Sequence, residues 1–143
     1  MTAGAFEKHF VRVEALRSHE KTSAARLRAV KRSVKRFGVV SRPIIVDARF
    51  FVVLDGHHRL AALRELGCRF APVQFVDYAS AAVRVRSRRR GVRVSKRVVM
   101  RRALAGREFA CKTTRHEHPL KKTPRSAALR ALLALPTPLK DLK

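Results

Sequence analysis

The sequence predicts an α+β fold, in which helices pack against a small mixed sheet. Apolar residues recur at helical spacing through residues 24–37, and Gly38 follows where many helices end. Residues 39–46 and 50–54 are apolar runs of strand length with turn-forming residues between them, which predicts a hairpin. Residues 52–67 then combine a strand, an Asp-Gly turn and a short helix. Predicted strands and predicted helices therefore both occur within residues 24–67, as the α+β class requires.

The first elements are predicted in chain order from local patterns. Residues 10–16 form a strand that leads into a turn at residues 17–20, where apolar alternation stops. The buried stripe of the following helix is predicted to consist of Leu27, Val30, Val34 and Phe37. Pro43 interrupts the strand at residues 39–46 because proline has no N–H group to donate to a neighbouring strand.

The later elements follow from shorter patterns. They are a strand at residues 72–78, a hairpin of residues 83–85 and 92–94, a helix at residues 95–106, a loop at residues 112–116 and a short helix at residues 126–135. Ser95 is a suitable cap for the penultimate helix, and Gly106 ends it. The hairpin has a basic tip at residues 88–90, which is first interpreted as solvated surface and second as a nucleic-acid contact.

The composition is strongly basic. The 143 residues include 34 Lys and Arg against 10 Asp and Glu, which gives a formal net charge of +24. Such a charge attracts phosphates, nucleic acids and anionic lipids, and it does not choose among them. The basic residues are scattered over every segment, so the charge belongs largely to the folded body. Nucleic acid remains a possible partner from charge alone.

The length allows one core of modest size. We predict a single domain at residues 1–118 and a proline-containing tail at residues 119–143. Cys68 and Cys111 lie far apart, and neither belongs to a Cys or His pattern of metal-ligand spacing. The sequence contains neither a secretory signal nor an apolar run of about 18 residues, so we expect a cytoplasmic protein that has no membrane partner.

The Asp-Gly turn is the segment best suited to bind a phosphate. A helix that begins directly after a strand presents unpaired N–H groups and positive dipole charge, which favours an anion. Gly56 lets the backbone approach a ligand closely, and His57, His58 and Arg59 add donors. Asp55 is suited to hold Mg²⁺ that bridges phosphate oxygens. A second interpretation stays open, in which Asp55 only caps the helix and both histidines are surface residues.

Three motifs together carry a family resemblance. The turn reads Leu-Asp-Gly-His-His-Arg at residues 54–59, preceded by Arg-Pro-Ile-Ile-Val at residues 42–46 and followed by Leu66-Gly67 and Pro72-Val73. It resembles the ParB/sulfiredoxin-like nucleotide-binding fold, and within that fold the ADP-dependent free serine kinases of archaea and their short ParB-like relatives. His19-Glu20 is similar to the His-Glu motif of those kinases, and residues 112–116 are similar to their Lys-Thr-Thr-Arg-His motif.

The resemblance implies a role for each matching residue. Asp55, Gly56, His57, His58 and Arg59 would surround the phosphates of ADP or ATP, with Mg²⁺ at Asp55. Glu20 would accept the proton of the substrate hydroxyl, which makes Glu20 and Asp55 the catalytic pair. The site around phosphate and substrate would be completed by His19, Lys112, Thr113, Thr114, Arg115 and His116. The implied activity is phosphate transfer from a nucleotide, with ADP as the expected donor, to free L-serine or a similar small hydroxyl compound.

Other functions match the residues less well. A non-enzymatic ParB-like regulator that binds nucleotide and DNA is the alternative, supported by the charge of +24, although the sequence lacks a recognisable helix-turn-helix. A sulfiredoxin-type reductase needs a cysteine where His57 stands. A metal-dependent nuclease would use clustered carboxylates, and only Asp55 and Glu20 are available.

Overall fold

The computed structural model describes residues 9–118 and the backbone of residues 127–128. Its centre is a four-stranded sheet in the order β1-β5-β3-β4, formed by β1 (His9–Arg12), β3 (Ile44–Asp47), β4 (Val53–Asp55) and β5 (Phe70–Val76). β3 and β5 are parallel, whereas the other two pairs are antiparallel. The predicted α+β class with a small mixed sheet is confirmed.

Within the described part of the chain, three helices and two small strand pairs surround this sheet. The helices are α1 (Ala24–Phe37), α2 (His57–Glu65) and α3 (Lys96–Ala105), and a 3₁₀ turn spans Val13–Ala15. β2 (Val39–Val40) pairs with β8 (Ala127–Ala128), and β6 (Arg84–Ser87) pairs with β7 (Thr114–Glu117). Among these described helices, none is both long and apolar enough to cross a bilayer.

The core lies on both faces of the central sheet. Along β3, Ile44 and Val46 point into a cluster with residues of α1 and α2, while Ile45 points into a second cluster with residues of α3. Alternate side chains of a strand face opposite sides of a sheet, so this strand is buried on both faces. The central sheet is therefore enclosed between two helical layers, and its β4 end leads into the Asp-Gly turn.

Helix α1 has the predicted ends. The Ser23 side chain accepts a hydrogen bond from the Arg26 N–H at 3.1 Å, and Gly38 closes the helix with φ of 68°. Val34 is buried in the core as predicted, but the prediction is wrong for Phe37, which is 65% exposed. Phe37 is the last helical residue and lies at the rim of a cleft, where the Arg36 guanidinium stacks over its ring.

Three predictions about the strands are wrong. Residues 39–46 form two strands in different sheets, because Pro43 separates β2 from β3. β6 pairs with β7 rather than with residues 92–94, which are not a strand. Most of the predicted loop at residues 112–116 therefore belongs to β7. The β6–β7 pairing joins segments about 30 residues apart, and a pattern read over a few residues carries no signal for it.

Two predictions fall near the C-terminus. The helix expected at residues 126–135 is contradicted at Ala127–Ala128, where the chain is extended and pairs with β2. The rest of that segment lies outside the described residues. The division between residues 1–118 and 119–143 stays a prediction.

Candidate active site

A cleft of about 1010 Å³ opens beside the start of α2. It gathers three distant segments, which are the first loop (residues 16–23, between the 3₁₀ turn and α1), the Asp-Gly turn and the strand β7. Ten of the residues predicted to form the site line it, namely Glu20, Asp55, Gly56, His57, His58, Arg59, Lys112, Thr114, Arg115 and His116. His19 and Thr113 are buried behind the cleft wall, with exposures of 0% and 2%.

The Asp-Gly turn depends on a residue without a Cβ. Gly56 precedes α2 with φ of 113°, and a Cβ there would lie 3.0 Å from Nη2 of Arg59 and 3.2 Å from Cγ1 of Ile44. No side chain caps α2, so the interpretation of Asp55 as a simple cap is wrong. Asp55 is instead 53% exposed and lines the cleft. The first N–H groups of α2 lack intrahelical partners because of helix geometry.

Arg59 braces the turn against the chain that leads into β3. Its Nη1 donates to the carbonyls of Arg42 at 3.2 Å and Pro43 at 3.0 Å. Its Nη2 lies 3.7 Å from a carboxylate oxygen of Asp55. Burial lowers the pKa of Arg59, and the nearby Asp55 carboxylate partly opposes that change. The guanidinium therefore links β4, α2 and the preceding loop.

The two histidines of the turn accept hydrogen bonds from the backbone. Nε2 of His57 accepts from the His19 N–H at 3.3 Å, and Nε2 of His58 accepts from the Ser23 N–H at 2.9 Å. Burial is the main cause that lowers the pKa of each imidazole. Neither is the fully exposed surface residue of the second interpretation, because both are half-buried against the first loop.

Glu20 is held by the segment that begins at Lys112. One carboxylate oxygen, Oε1, accepts from the N–H of Thr114 at 2.8 Å and from its hydroxyl at 2.7 Å. The other oxygen, Oε2, accepts from the N–H of Lys112 at 2.9 Å. Lys112 has φ of 60°, a left-handed conformation that is unusual for a residue with a side chain. The backbone thus curls around the carboxylate, and Glu20 is 9% exposed.

Buried histidines lie behind this carboxylate, and His19 contacts it through the Thr114 hydroxyl. Nε2 of His19 lies 3.1 Å from the Thr114 hydroxyl oxygen. Since that hydroxyl donates to Glu20, it accepts from His19, which places a proton on Nε2 of His19. Burial lowers the pKa of His19 to about 4 and that of His116 to about 3. His116 in turn bonds the Tyr78 hydroxyl at 2.8 Å.

The cleft also contains residues that the sequence interpretation missed. Arg26, Arg42 and Arg88 line it. Arg88 is exposed, as the interpretation of residues 88–90 as solvated surface predicts, and its N–H donates to the Thr113 carbonyl at 2.7 Å, which places it beside the Lys-Thr-Thr-Arg-His segment. No local pattern separates these residues from the many other cations of a chain with charge +24.

The carboxylates of the cleft fit a metal ion that arrives with phosphates. Among the residues that the structure describes, no group of three or more His, Cys, Asp or Glu side chains is placed to hold a metal alone. Asp55 contributes one exposed carboxylate beside the free N–H groups of α2. Mg²⁺ in phosphate-transfer sites takes one or two carboxylates and completes its shell with phosphate and water, so this donor set is suitable.

Comparisons with known proteins were made by sequence and by structure, and no family model matches the chain. The ATP-dependent L-serine kinase of Staphylothermus marinus is 34% identical over 85 residues, which are 57% of this chain and 34% of that protein. The ADP-dependent L-serine kinase of Thermococcus kodakarensis is 31% identical over 80 residues, 53% of this chain and 33% of the relative. The matched region thus spans about a third of the length of these kinases.

A shorter match and two solved structures complete the comparison. A ParB-like protein of Sulfolobus acidocaldarius is 50% identical over 44 residues, 31% of this chain and 22% of that protein. A free serine kinase in complex with AMP superposes with a TM-score of 0.80 at 17% identity, covering 88% of this chain and 93% of the other. A variant of a free serine kinase in complex with ADP gives a TM-score of 0.80 at 17% identity, covering 88% and 94%.

These likenesses establish the fold of the chain. The chain has the fold of the free serine kinases, so the predicted fold and the resemblance to serine kinases and ParB-like proteins are confirmed. The two relatives with the longer matches are named as serine kinases, one dependent on ATP and the other on ADP.

Proposed function

We propose that this protein is a small kinase that transfers phosphate from a nucleotide, with ADP as the expected donor, to the hydroxyl of free L-serine or a similar small molecule. The observation that carries the proposal is the meeting of Glu20, the Asp-Gly turn and the Lys-Thr-Thr-Arg-His segment at one cleft. The likeness to serine kinases in sequence and fold supports the same activity.

The nucleotide phosphates would bind at the start of α2. The N–H groups of His57, His58 and Arg59 supply donors there, and the helix dipole favours negative charge at this end. Gly56 leaves room for a phosphate to approach the backbone, since a side chain at that position would collide with Arg59. Lys112, Arg115 and His116 line the same cleft and would surround phosphate and substrate.

Asp55 would hold Mg²⁺ together with the phosphates of the nucleotide. The ion supplies positive charge that offsets the charge developing on the transferred group. The Asp55 side chain is 53% exposed and would be the single protein carboxylate on the ion. Phosphate and water would complete the coordination.

Glu20 would act as the base. Three hydrogen bonds fix its carboxylate, and because two of them fall on Oε1, the other oxygen keeps a free acceptor position. The acceptor hydroxyl would give its proton to Glu20 while its oxygen bonds to the terminal phosphorus of the nucleotide. The bond from that phosphorus to the bridging oxygen breaks, and AMP leaves when the donor is ADP. Phosphoryl transfer depends mainly on such positioning and charge stabilisation.

The regulatory alternative is less favoured. A ParB-like relative matches over 44 residues, but the longer matches of 80 and 85 residues are to serine kinases. Support for a nucleic-acid partner comes from the net charge of +24 and the basic tip at residues 88–90, and such charge attracts any polyanion.

The activity can be tested with the purified chain, Mg²⁺, L-serine and either ADP or ATP, with phosphoserine measured by mass spectrometry. We expect product with at least one nucleotide. Glu20→Gln should lower kcat by about a hundredfold or more, because general-base catalysis contributes roughly 10²–10⁴-fold. Asp55→Ala should lower the rate as well.

Glu14→Gln is the matched control for the loss of one carboxylate. Glu14 is 68% exposed and pairs with Arg12 outside the cleft, so this variant should keep the parent rate. A Glu20→Gln variant that makes phosphoserine as fast as Glu14→Gln would contradict the assignment of Glu20. The absence of product with both nucleotides, while ADP still binds and short DNA is retarded, would favour the regulatory alternative.

A further inference from the structure

We propose that the rings of His57 and His58 position Glu20 and do not bind the nucleotide. The inference deepens the proposed kinase function and rests on it for the kinetic part of its test. Both histidines belong to the turn motif that the family resemblance assigns to phosphate binding. In this chain the N–H groups of the turn are left for that purpose, while the imidazole rings face the loop that carries Glu20.

The two hydrogen bonds lie on either side of Glu20 in the chain. His57 receives the N–H of His19 at 3.3 Å, one residue before Glu20, and His58 receives the N–H of Ser23 at 2.9 Å, three residues after it. Ser23 is also the residue whose side chain caps α1. The turn therefore holds the whole connection from Glu20 to the start of α1.

Only an unprotonated ring nitrogen can accept these bonds. Nε2 of each ring accepts a hydrogen bond from a backbone N–H group. The proton of each neutral ring therefore lies on Nδ1. A phosphate ligand would instead favour a charged imidazolium as donor.

The same loop is held independently from the opposite side. Phe109 donates its N–H to the His19 carbonyl at 2.7 Å, and its carbonyl receives the Lys21 N–H at 2.8 Å. The bonds of Glu20 to Lys112 and Thr114 belong to that side too. Without the histidine acceptors, Glu20 would stay attached to the Lys112 segment and lose its fixed distance from the phosphate turn.

A pair of variants at His58 separates positioning from nucleotide binding. His58→Phe keeps a ring but removes the acceptor, whereas the side-chain carbonyl of His58→Gln can take over the position of Nε2. We expect His58→Phe to lower kcat about tenfold to a hundredfold, since small misplacements of reacting groups cost up to about 10² in rate. The nucleotide KM should change less than about twofold, and His58→Gln should recover most of kcat.

The opposite kinetic pattern would overturn the proposal. If the ring binds phosphate, His58→Phe should raise the nucleotide KM and the directly measured ADP dissociation constant about tenfold or more, and Gln should not restore them. The corresponding pair at His57 gives a second comparison, in which the acceptor for the His19 N–H is removed or retained.

Amide hydrogen exchange tests the contact without any kinase activity. The Ser23 amide of the wild-type protein should exchange slowly, should become about tenfold or more faster in His58→Phe, and should be protected again in His58→Gln. A Ser23 amide that exchanges at the same rate in all three proteins would contradict the positioning role. This readout stays valid if no phosphoserine forms, so failure of the proposed function and failure of this inference are distinguishable.

Discussion

At the scale of single residues, the site is built from side chains whose hydrogen bonds are already largely used inside the protein. Arg59 bonds the carbonyls of Arg42 and Pro43, and Glu20 accepts three bonds from Lys112 and Thr114. Such bonds fix each group before any ligand arrives, which reduces the ordering that binding would require. The residues of the motifs therefore support one another as well as any substrate.

Gly56 offers a test of this residue-level packing. Gly56→Ala should lower the free energy of unfolding by about 1–3 kcal/mol, because its φ of 113° and the Arg59 and Ile44 contacts oppose a Cβ. Gly91→Ala is a suitable control, since Gly91 has φ of 79° but no atom within 4 Å of the added Cβ. Urea denaturation should show the larger loss at Gly56. Equal losses would mean that the close contacts add nothing to backbone strain.

At the scale of elements, local sequence signals set the ends of the helices. Ser23 and Ser95 accept from the N–H groups of Arg26 and Val98, each at 3.1 Å, and glycines in the left-handed conformation close both helices. α1 and α3 pack on opposite faces of the central sheet. The start of α2 is different, because it has no side-chain cap and opens toward the cleft.

The two capping serines give an element-level prediction. Ser95→Ala and Ser23→Ala should each lower the free energy of unfolding by about 1 kcal/mol, since each loses one cap bond. Ser23→Ala keeps the backbone N–H that bonds His58, so its kcat should match that of Ser95→Ala. Thermal denaturation and the phosphoserine assay check both statements. A selective loss of kcat in Ser23→Ala would show that the hydroxyl itself matters to the site.

At the scale of the whole molecule, a layer of neutral histidines lies between the central sheet and the cleft. The rings of His19 and His116 are 5.5 Å apart, and the ring of His57 lies 4.5 Å from that of His19. Burial lowers the pKa of His19 to about 4 and of His116 to about 3. The folded protein therefore holds these groups uncharged at pH values where the unfolded chain would protonate them.

Acid should weaken the folded state for this reason. Below the ordinary histidine pKa of about 6.5 the unfolded chain binds more protons than the folded one, so the free energy of unfolding decreases as pH falls from about 6.5 toward 4. His19 and His116 together should account for a loss of several kcal/mol across that range. Urea denaturation at pH 7 and pH 5 measures the part of this loss in the free energy of unfolding that falls above pH 5.

The exposed His9 provides the control for this pH effect. His9→Gln should leave the difference between pH 7 and pH 5 unchanged, because the acid sensitivity is assigned to the buried rings. A free energy of unfolding that is equal at pH 7 and pH 5 would contradict that assignment.

Patterns among neighbouring residues were sufficient to predict the local features of the fold. Helical spacing and caps defined α1 and α3, apolar runs defined the β3–β4 hairpin, and three motifs in order indicated the serine-kinase fold. The tertiary structure decided which distant segments meet. Contacts between residues far apart in the chain produce three features of the site. They are the pairing of β6 with β7, the burial of His19 behind Thr114 and the presence of Arg88 in the cleft. Local periodicity contains no information about such contacts, because they depend on how the layers pack after the elements have formed.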